Sequence, residues 1–129
     1  MALRSKKRGE KAVLPLTQKQ SLGNAGEQQA LTYLMEQGLQ LIEKNFRRKF
    51  GEIDLIMQDR TTLVFIEVRS RAKGRFGGAA ASVTAAKQRR LVLAAHAYLK
   101  RYIQLPECRF DVVAIDGGAL SWLKDVIVA

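Results

Sequence analysis

The stretch Leu63-Val64-Phe65-Ile66-Glu67-Val68-Arg69 constrains the fold more than any other part of the chain. Its β-branched and aromatic side chains favour a strand. Glu67 nevertheless sits among them, and a carboxylate left unpaired in such surroundings is costly. The preceding segment Gly51-Glu52-Ile53-Asp54-Leu55-Ile56 has the same strand character. If the loop between the two is Arg60-Thr61, residues whose numbers share one sum pair across the hairpin, which sets Asp54 opposite Glu67 and Glu52 opposite Arg69. Like charges directly opposite destabilise a hairpin, so something positive should lie between Asp54 and Glu67.

A divalent metal meets that need. Mg²⁺ takes oxygen ligands, uses one or two carboxylates, and completes its octahedron with water and substrate phosphate. The chemistry that follows is phosphodiester hydrolysis, in which the metal polarises the phosphoryl oxygen, lowers the pKa of a bound water and stabilises the leaving oxygen. A cation beside it offsets charge developing on the phosphorane. Arg69, two residues beyond Glu67, points to the same face of the strand.

Around this pair the chain reads as α-β-β-β-α-β-β without internal repeats. From Asn24 onward Glu27, Leu31, Leu34, Met35 and Gly38 recur at helical spacing, which predicts a helix to about Gln37 with a carboxylate at the start of its inward stripe. Leu39–Phe46, Ile53–Gln58 and Thr62–Arg69 follow as an antiparallel meander, with turns at Arg47–Gly51 and Asp59–Thr61. Ser70–Ser82 is glycine-rich and carries Arg71, Lys73 and Arg75, so a mobile basic loop is expected there. Thr84 caps a second helix reaching about Arg101, whose inner face carries Gln88, Leu91, Ala95, Leu99 and Tyr102. Arg109–Ile115 and Leu120–Val128 then pair across the turn Asp116-Gly117-Gly118.

Charge narrows the class of partner. The chain holds 22 Lys and Arg against 12 Asp and Glu, a net +10 over 129 residues, which favours a polyanion, with nucleic acid ahead of an acidic membrane surface. Residues 1–20 concentrate Arg4, Lys6, Lys7, Arg8, Lys11 and Lys19 and are expected to form a flexible basic tail ahead of one domain over 21–129. Tail and basic loop would hold phosphates rather than bases, because both are poor in aromatic residues. The single Cys108 excludes an internal disulfide framework and a cysteine zinc cluster. With no apolar run long enough for a signal peptide or a membrane span, the expected compartment is the cytoplasm and no membrane partner is expected.

The segments Gly51-Glu52-Ile53-Asp54, Glu67-Val68-Arg69 and Lys87-Gln88, within Gly23–Ile115, resemble the YraN family of predicted endonucleases. That family lies in the PD-(D/E)xK nuclease superfamily and is similar to archaeal Holliday-junction resolvases. The resemblance implies a restriction-endonuclease-like α/β (α+β) fold, a mixed sheet flanked by helices, and an Mg²⁺- or Mn²⁺-dependent endonuclease acting on DNA, branched or junction forms included. It implies Glu27, Asp54 and Glu67 as the acidic metal positions. Arg69 falls where the superfamily carries its signature lysine; arginine keeps the charge but is effectively never deprotonated. Catalysis is then assigned to Asp54, Glu67 and Arg69, and nucleic-acid contact to Arg71, Lys73, Arg75, Lys87 and Gln88. A homodimer presenting two such sites is compatible with the sequence.

Plainer readings stand beside these. Asp54 and Glu67 can form ordinary salt bridges with Arg69 or Arg71, and ion-pair networks often mimic sites. Asn24 and Glu27 fit a capping box as N-cap and N3. Gln88 can simply end an apolar stripe or reach a phosphate. His96 lacks any ligand-spaced partner, Cys108 lacks a base, and Trp122, Tyr98 and Phe110 read as core. The same fold could also serve as a catalytically silent nucleic-acid-binding module.

Overall fold

The computed structural model describes residues 18–72 and 78–127. Helix α1 (Gln18–Glu36) leads into strands β1 (Gln40–Arg48), β2 (Gly51–Asp59) and β3 (Thr62–Arg71). A 3₁₀ turn at Ala80–Ser82 precedes helix α2 (Ala85–Leu99), and β4 (Glu107–Asp116) and β5 (Ala119–Leu123) complete the described chain. The strands form one sheet in the order β1-β2-β3-β4-β5. All neighbours are antiparallel except β3 and β4, which run parallel and therefore need a crossover, supplied by α2. The element order agrees with the reading from periodicity, and the mixed, helix-flanked sheet with what the resemblance implies.

Strand alternation sorts the core into two layers. Leu63 and Phe65 of β3 pack with Ile56, Phe110 and the α2 residues Leu91, Ala94, Ala95 and Tyr98. Val64, Ile66 and Val68 face the other way, onto Ala30, Leu31 and Leu34 of α1 with Val113 and Ile115. Buried on both faces, β3 has no solvated side to carry polar residues, which is why its sequence is a nearly unbroken apolar run. Tyr98 anchors the first layer with edge-on contacts to Phe46 and Phe65.

Several boundaries differ from expectation. Helix α1 begins at Gln18, inside the segment expected to be a tail; Arg4, Lys6, Lys7, Arg8 and Lys11 lie outside the described residues. Met35 is exposed rather than part of the inner stripe, which runs through Ala30, Leu31 and Leu34. Helix α2 stops at Leu99, and Ala94 and Tyr98 line its inner face with Leu91 and Ala95. Strand β3 runs on to Arg71, into the expected loop. β5 ends at Leu123, not Val128: Asp125 adopts a positive φ of 53° and its N–H donates to Asp111 Oδ1 at 2.8 Å, which draws the chain out of the ladder.

Asp111 is fully buried in β4. Arg109 Nε donates to both its oxygens at 3.1 and 3.2 Å, and Trp122 Nε1 donates to Oδ2 at 2.9 Å. Arg109 also reaches Asp59 Oδ2 at 3.1 Å, tying the end of β2 to β4. A buried carboxylate is tolerable when its lone pairs are this fully engaged. Among the described residues, no helix is long and apolar enough to cross a membrane.

Candidate functional site

The β2–β3 hairpin adopts the register read from the sequence, from Asp59↔Thr62 through Leu55↔Ile66. Asp54 and Glu67 come next, and there the pairing stops. Asp54 Oδ2 instead accepts a hydrogen bond from the backbone N–H of Val68 at 2.7 Å. The alternation of β2 slips at the same point: Ile53 and Ile56 both pack in the α2 layer, whereas Leu55 and Met57 pack against α1. The sheet thus opens at Asp54, and the opening leaves its carboxyl group hydrogen-bonded to that of Glu67.

Alternation places Glu67 and Arg69 on the α2 face with Phe65. Arg69 Nη1 lies 3.6 Å from Glu67 Oε2, and both side chains are largely shielded from solvent, at 20% and 13% exposed. Arg69 Nε donates to Ser82 Oγ at 3.0 Å, and Ser82 Oγ in turn donates to the Ala79 carbonyl at 2.6 Å. The guanidinium is therefore held from two sides. The expected pairing of Glu52 with Arg69 does not form: once the ladder opens, Glu52 turns to the β1–β2 hairpin and pairs with Arg47 at 3.3 Å.

Burial foremost, then a neighbouring carboxylate, shifts all three acids in the same direction. Burial foremost, then the Asp54 charge, pushes Glu67 from 4.5 up to about 8, against the opposing pull of Arg69 and Lys87. Asp54 is also raised, mainly by burial and further by the Glu52 charge, although the Val68 N–H favours its ionised form. Glu27 is raised by burial and then by Asp54, while a hydrogen bond from Asn45 and the charges of Arg47 and Lys44 work the other way. Three carboxyl groups hold protons more tightly than usual in a chain of net charge +10.

Glu27 reaches this neighbourhood because α1 packs closely on β3. A side chain on Gly26 would collide with Ser70 Oγ, so only glycine allows the approach. Gly51 plays the matching part on the other layer, where a Cβ would strike the Arg90 carbonyl of α2. Since α1 starts at Gln18, Asn24 lies within the helix, and the capping-box reading of Asn24 and Glu27 is excluded. Glu27 instead borders a cavity of about 300 Å³ with Asn24, Gln28, Leu31, Lys44 and Asn45. Asn45 has a positive φ of 53°, a conformation asparagine tolerates better than most residues, and by the β1–β2 register it lies opposite Asp54.

Asp54 and Glu67 are thus brought together with Arg69 beside them. Glu27 stands within electrostatic range of Asp54 but takes Asn45 as its partner. Among the described residues no three His, Cys, Asp or Glu side chains converge as a ready metal cluster. The pair alone still suits Mg²⁺ or Mn²⁺, which need one or two carboxylates and accept water for the rest. A dication in place of the shared proton would offset the burial that raises both pKa values and the Asp54 charge that raises that of Glu67 further. Lys87 lies near enough to act on Glu67, and its N–H is capped by Thr84 Oγ1 at 3.3 Å. Gln88 donates to the Val83 carbonyl at 3.1 Å, a local role at the helix start. Arg71 Nη1 donates to the Ser70 carbonyl at 2.8 Å, and Lys73 and Arg75 lie outside the described residues.

Sequence reasoning missed Ser82, Asn45 and Gly26. Gly26 and Asn45 left a trace in residue type, as positions that tolerate close approach and positive φ, whereas Ser82 left none. His96 is exposed, Cys108 is half-buried with its thiol pKa pushed up by burial, and Tyr98 and Phe110 are core. Trp122 is half-buried, edge-on to Tyr33.

The chain has close relatives. A protein of Janthinobacterium sp. (strain Marseille) described as a UPF0102 protein is 60% identical over 115 residues, 89% of this chain and 94% of its own length. The UPF0102 protein of Herminiimonas arsenicoxydans is 60% identical over 113 residues, 88% of this chain and 91% of its own. That of Ralstonia pickettii (strain 12J) is 55% identical over 108 residues, covering 80% and 86%. The model of uncharacterised protein family UPF0102 matches residues 26–115, which contain every residue of the opened hairpin and its flanking helices' contacts to it. On these grounds the chain belongs to the UPF0102 family, the YraN-type family that its motifs resemble.

Proposed function

We propose that this protein is a divalent-metal-dependent endonuclease that hydrolyses phosphodiester bonds in DNA, branched or junction forms included. The observation that carries the proposal is the Asp54–Glu67 pair, shielded from water, joined through a hydrogen bond, and flanked by Arg69 at 3.6 Å. A structural ion pair needs one acid and one base; here two acids share one arginine. The second carboxyl group, left without a base of its own, is what a metal site would use.

Asp54 and Glu67 would hold Mg²⁺ or Mn²⁺, with Glu27 within electrostatic range of Asp54. When bound, the ion supplies Lewis-acid polarisation of a phosphoryl oxygen and an acidified water. The remaining work falls to the chain. The Val68 N–H fixes the Asp54 carboxylate, so its orientation does not depend on substrate. Ser82 holds the Arg69 guanidinium beside Glu67, where its positive charge offsets charge developing on the scissile phosphate. Arg69 stays protonated throughout and so acts electrostatically, not as a base. Lys87 adds a second positive charge on the same side.

The test is a cleavage panel of linear, flap and four-way DNA with Mg²⁺, Mn²⁺ or EDTA. The expected result is metal-dependent scission by the wild type that Glu67→Ala abolishes. Strand scission that persists in EDTA, or in Glu67→Ala, would overturn the assignment. Binding without scission under any metal would favour the silent nucleic-acid-binding module instead, a reading supported by the arginine at position 69.

A further inference from the structure

The β1–β2 hairpin tip presents an exposed aromatic ring in a basic setting, at the same end of the sheet as the carboxylate pair. Phe50 is 66% exposed. Arg48 and Gly51 close the hairpin, leaving Lys49 and Phe50 as a two-residue loop. Such loops favour Asn-Gly or Gly-containing turns with positive φ, yet neither Lys49 nor Phe50 has a positive φ. The turn therefore gains nothing from a phenylalanine, and burial does not account for it.

The surroundings of the ring are cationic. Lys49 Nζ lies 5.5 Å from the Phe50 ring centroid, and the Arg48 guanidinium is held 4.0 Å over Phe46, two positions back along β1. Lys44, Arg47, Arg48 and Lys49 are all exposed on β1 and its turn, with Glu52 offsetting Arg47. Helix α2 continues the basic surface: the Arg90 backbone abuts Gly51, and Arg89 and Arg90 are exposed. Phe50 lies four positions before Asp54, roughly 13 Å of strand at ~3.3 Å per residue.

We propose that Phe50 is a stacking platform for an unpaired DNA base, with Arg48, Lys49 and the exposed α2 arginines holding the adjoining phosphates. This rests on the reading of the chain as a DNA nuclease and gives it a substrate class: DNA with unpaired nucleotides a few positions from the scissile phosphate. A free base offers an open π-face to the ring. A base within a duplex has both faces covered and must first be unstacked. The cations on the tip do not discriminate the two forms, because both carry phosphates; the aromatic ring does.

The experiment is fluorescence anisotropy in EDTA with two labelled probes of equal phosphate count, a blunt duplex and a duplex bearing a single-stranded arm. Phe50→Ala is expected to weaken binding of the armed probe about tenfold while leaving the blunt duplex within about twofold. Phe50→Trp should retain armed-probe affinity, and its added emission should be quenched on binding, over the background of Trp122 in the wild type. Equal loss on both probes, no loss on either, or unquenched Trp emission would overturn the proposal. Because EDTA binding is independent of turnover, the two readings fail separately. Unchanged binding by Phe50→Ala alongside metal-dependent cleavage by the wild type removes the platform and leaves the nuclease; selective loss without any cleavage does the reverse. Wild-type protein that binds neither probe removes both.

Discussion

Replacing Glu67 with glutamine should stabilise the metal-free protein at neutral pH. Burial and the Asp54 charge hold the Glu67 carboxyl at about 8 in the folded state, against 4.5 for an ordinary glutamate. Because the folded value is the higher, the folded protein keeps a proton that the unfolded chain releases, and stability falls as pH climbs from 4.5 to about 8. Below that window both states are protonated, and above it both are ionised, so the curve is flat on either side. Each pH unit spanned amounts to ~1.4 kcal/mol. Relaxation of the opened sheet and water entry lower the sum, and we expect on the order of 2–3 kcal/mol lost between about pH 5 and about pH 8. Asp54, raised in the same sense, adds to the fall at its acidic end.

Glutamine at this position cannot ionise, and its amide N–H can donate to Asp54 in place of the shared proton. Urea unfolding of wild type and Glu67→Gln in EDTA, across this pH range, isolates the effect, because the background repulsion of a +10 chain is nearly common to both. The wild type should lose stability relative to the variant as pH rises. Millimolar Mg²⁺ or Mn²⁺ should then restore the wild type at about pH 8, by ~2.7 kcal/mol if the ion stands at a hundred times its Kd, and leave the variant less affected. Parallel stability curves in EDTA would refute the reasoning, since they would mean that Glu67 titrates normally and that nothing at the hairpin opening awaits a cation.

The other predictions use different parts of the molecule. Arg69→Lys is expected to raise single-turnover cleavage of branched DNA above wild type and Arg69→Ala to lower it, each by about ten- to a hundredfold for ~1–3 kcal/mol of transition-state stabilisation; equal rates for all three proteins would remove Arg69 from catalysis. Gly26→Ala should cost ~1–3 kcal/mol in a urea titration through collision with Ser70 Oγ, and adding Ser70→Ala should recover at least half of it. Asp111→Asn should cost ~3–5 kcal/mol by leaving Arg109 without its buried partner, with DNA affinity unchanged at matched folded fraction, because that network faces the α1 side of the sheet. A variant as stable as wild type would show that the Arg109–Asp59 pair alone suffices.

Where local pattern decides structure, the sequence was a good guide. The apolar run of β3, the turn at Arg60-Thr61 and the Thr84 cap each depend on residues within a few positions, and each was placed correctly along with the hairpin register. The start of α1 was not, because Asn24 and Glu27 mimic a capping box inside a helix that begins at Gln18. Met35 keeps helical spacing with Leu31 yet lies outside the buried stripe of Ala30, Leu31 and Leu34. The end of β5 was set by a distant partner, the Asp111 carboxylate, which no local pattern announces.

The site divides along the same line. Pairing arithmetic brought Asp54 to Glu67, but arithmetic assumes a continuous ladder, and a continuous ladder would also have joined Glu52 to Arg69. The ladder opens instead, and Asp54 takes the Val68 N–H as its partner rather than a strand pairing across from Glu67. The opening sends Glu52 to Arg47 and frees Arg69 for Glu67 and Ser82. Ser82 lay in a segment read as mobile; as the acceptor for the Arg69 Nε it makes the guanidinium's place a matter of geometry. That placement bears on the arginine itself. A lysine reaching Glu67 from position 69 would have one ammonium to share, whereas arginine meets Ser82 through Nε and Glu67 through Nη1 at once. Arginine at position 69 therefore has a second anchor that a single ammonium could not use in the same way, and Ser82→Ala should loosen arginine while leaving an Arg69→Lys background unmoved, a difference that single-turnover rates can read.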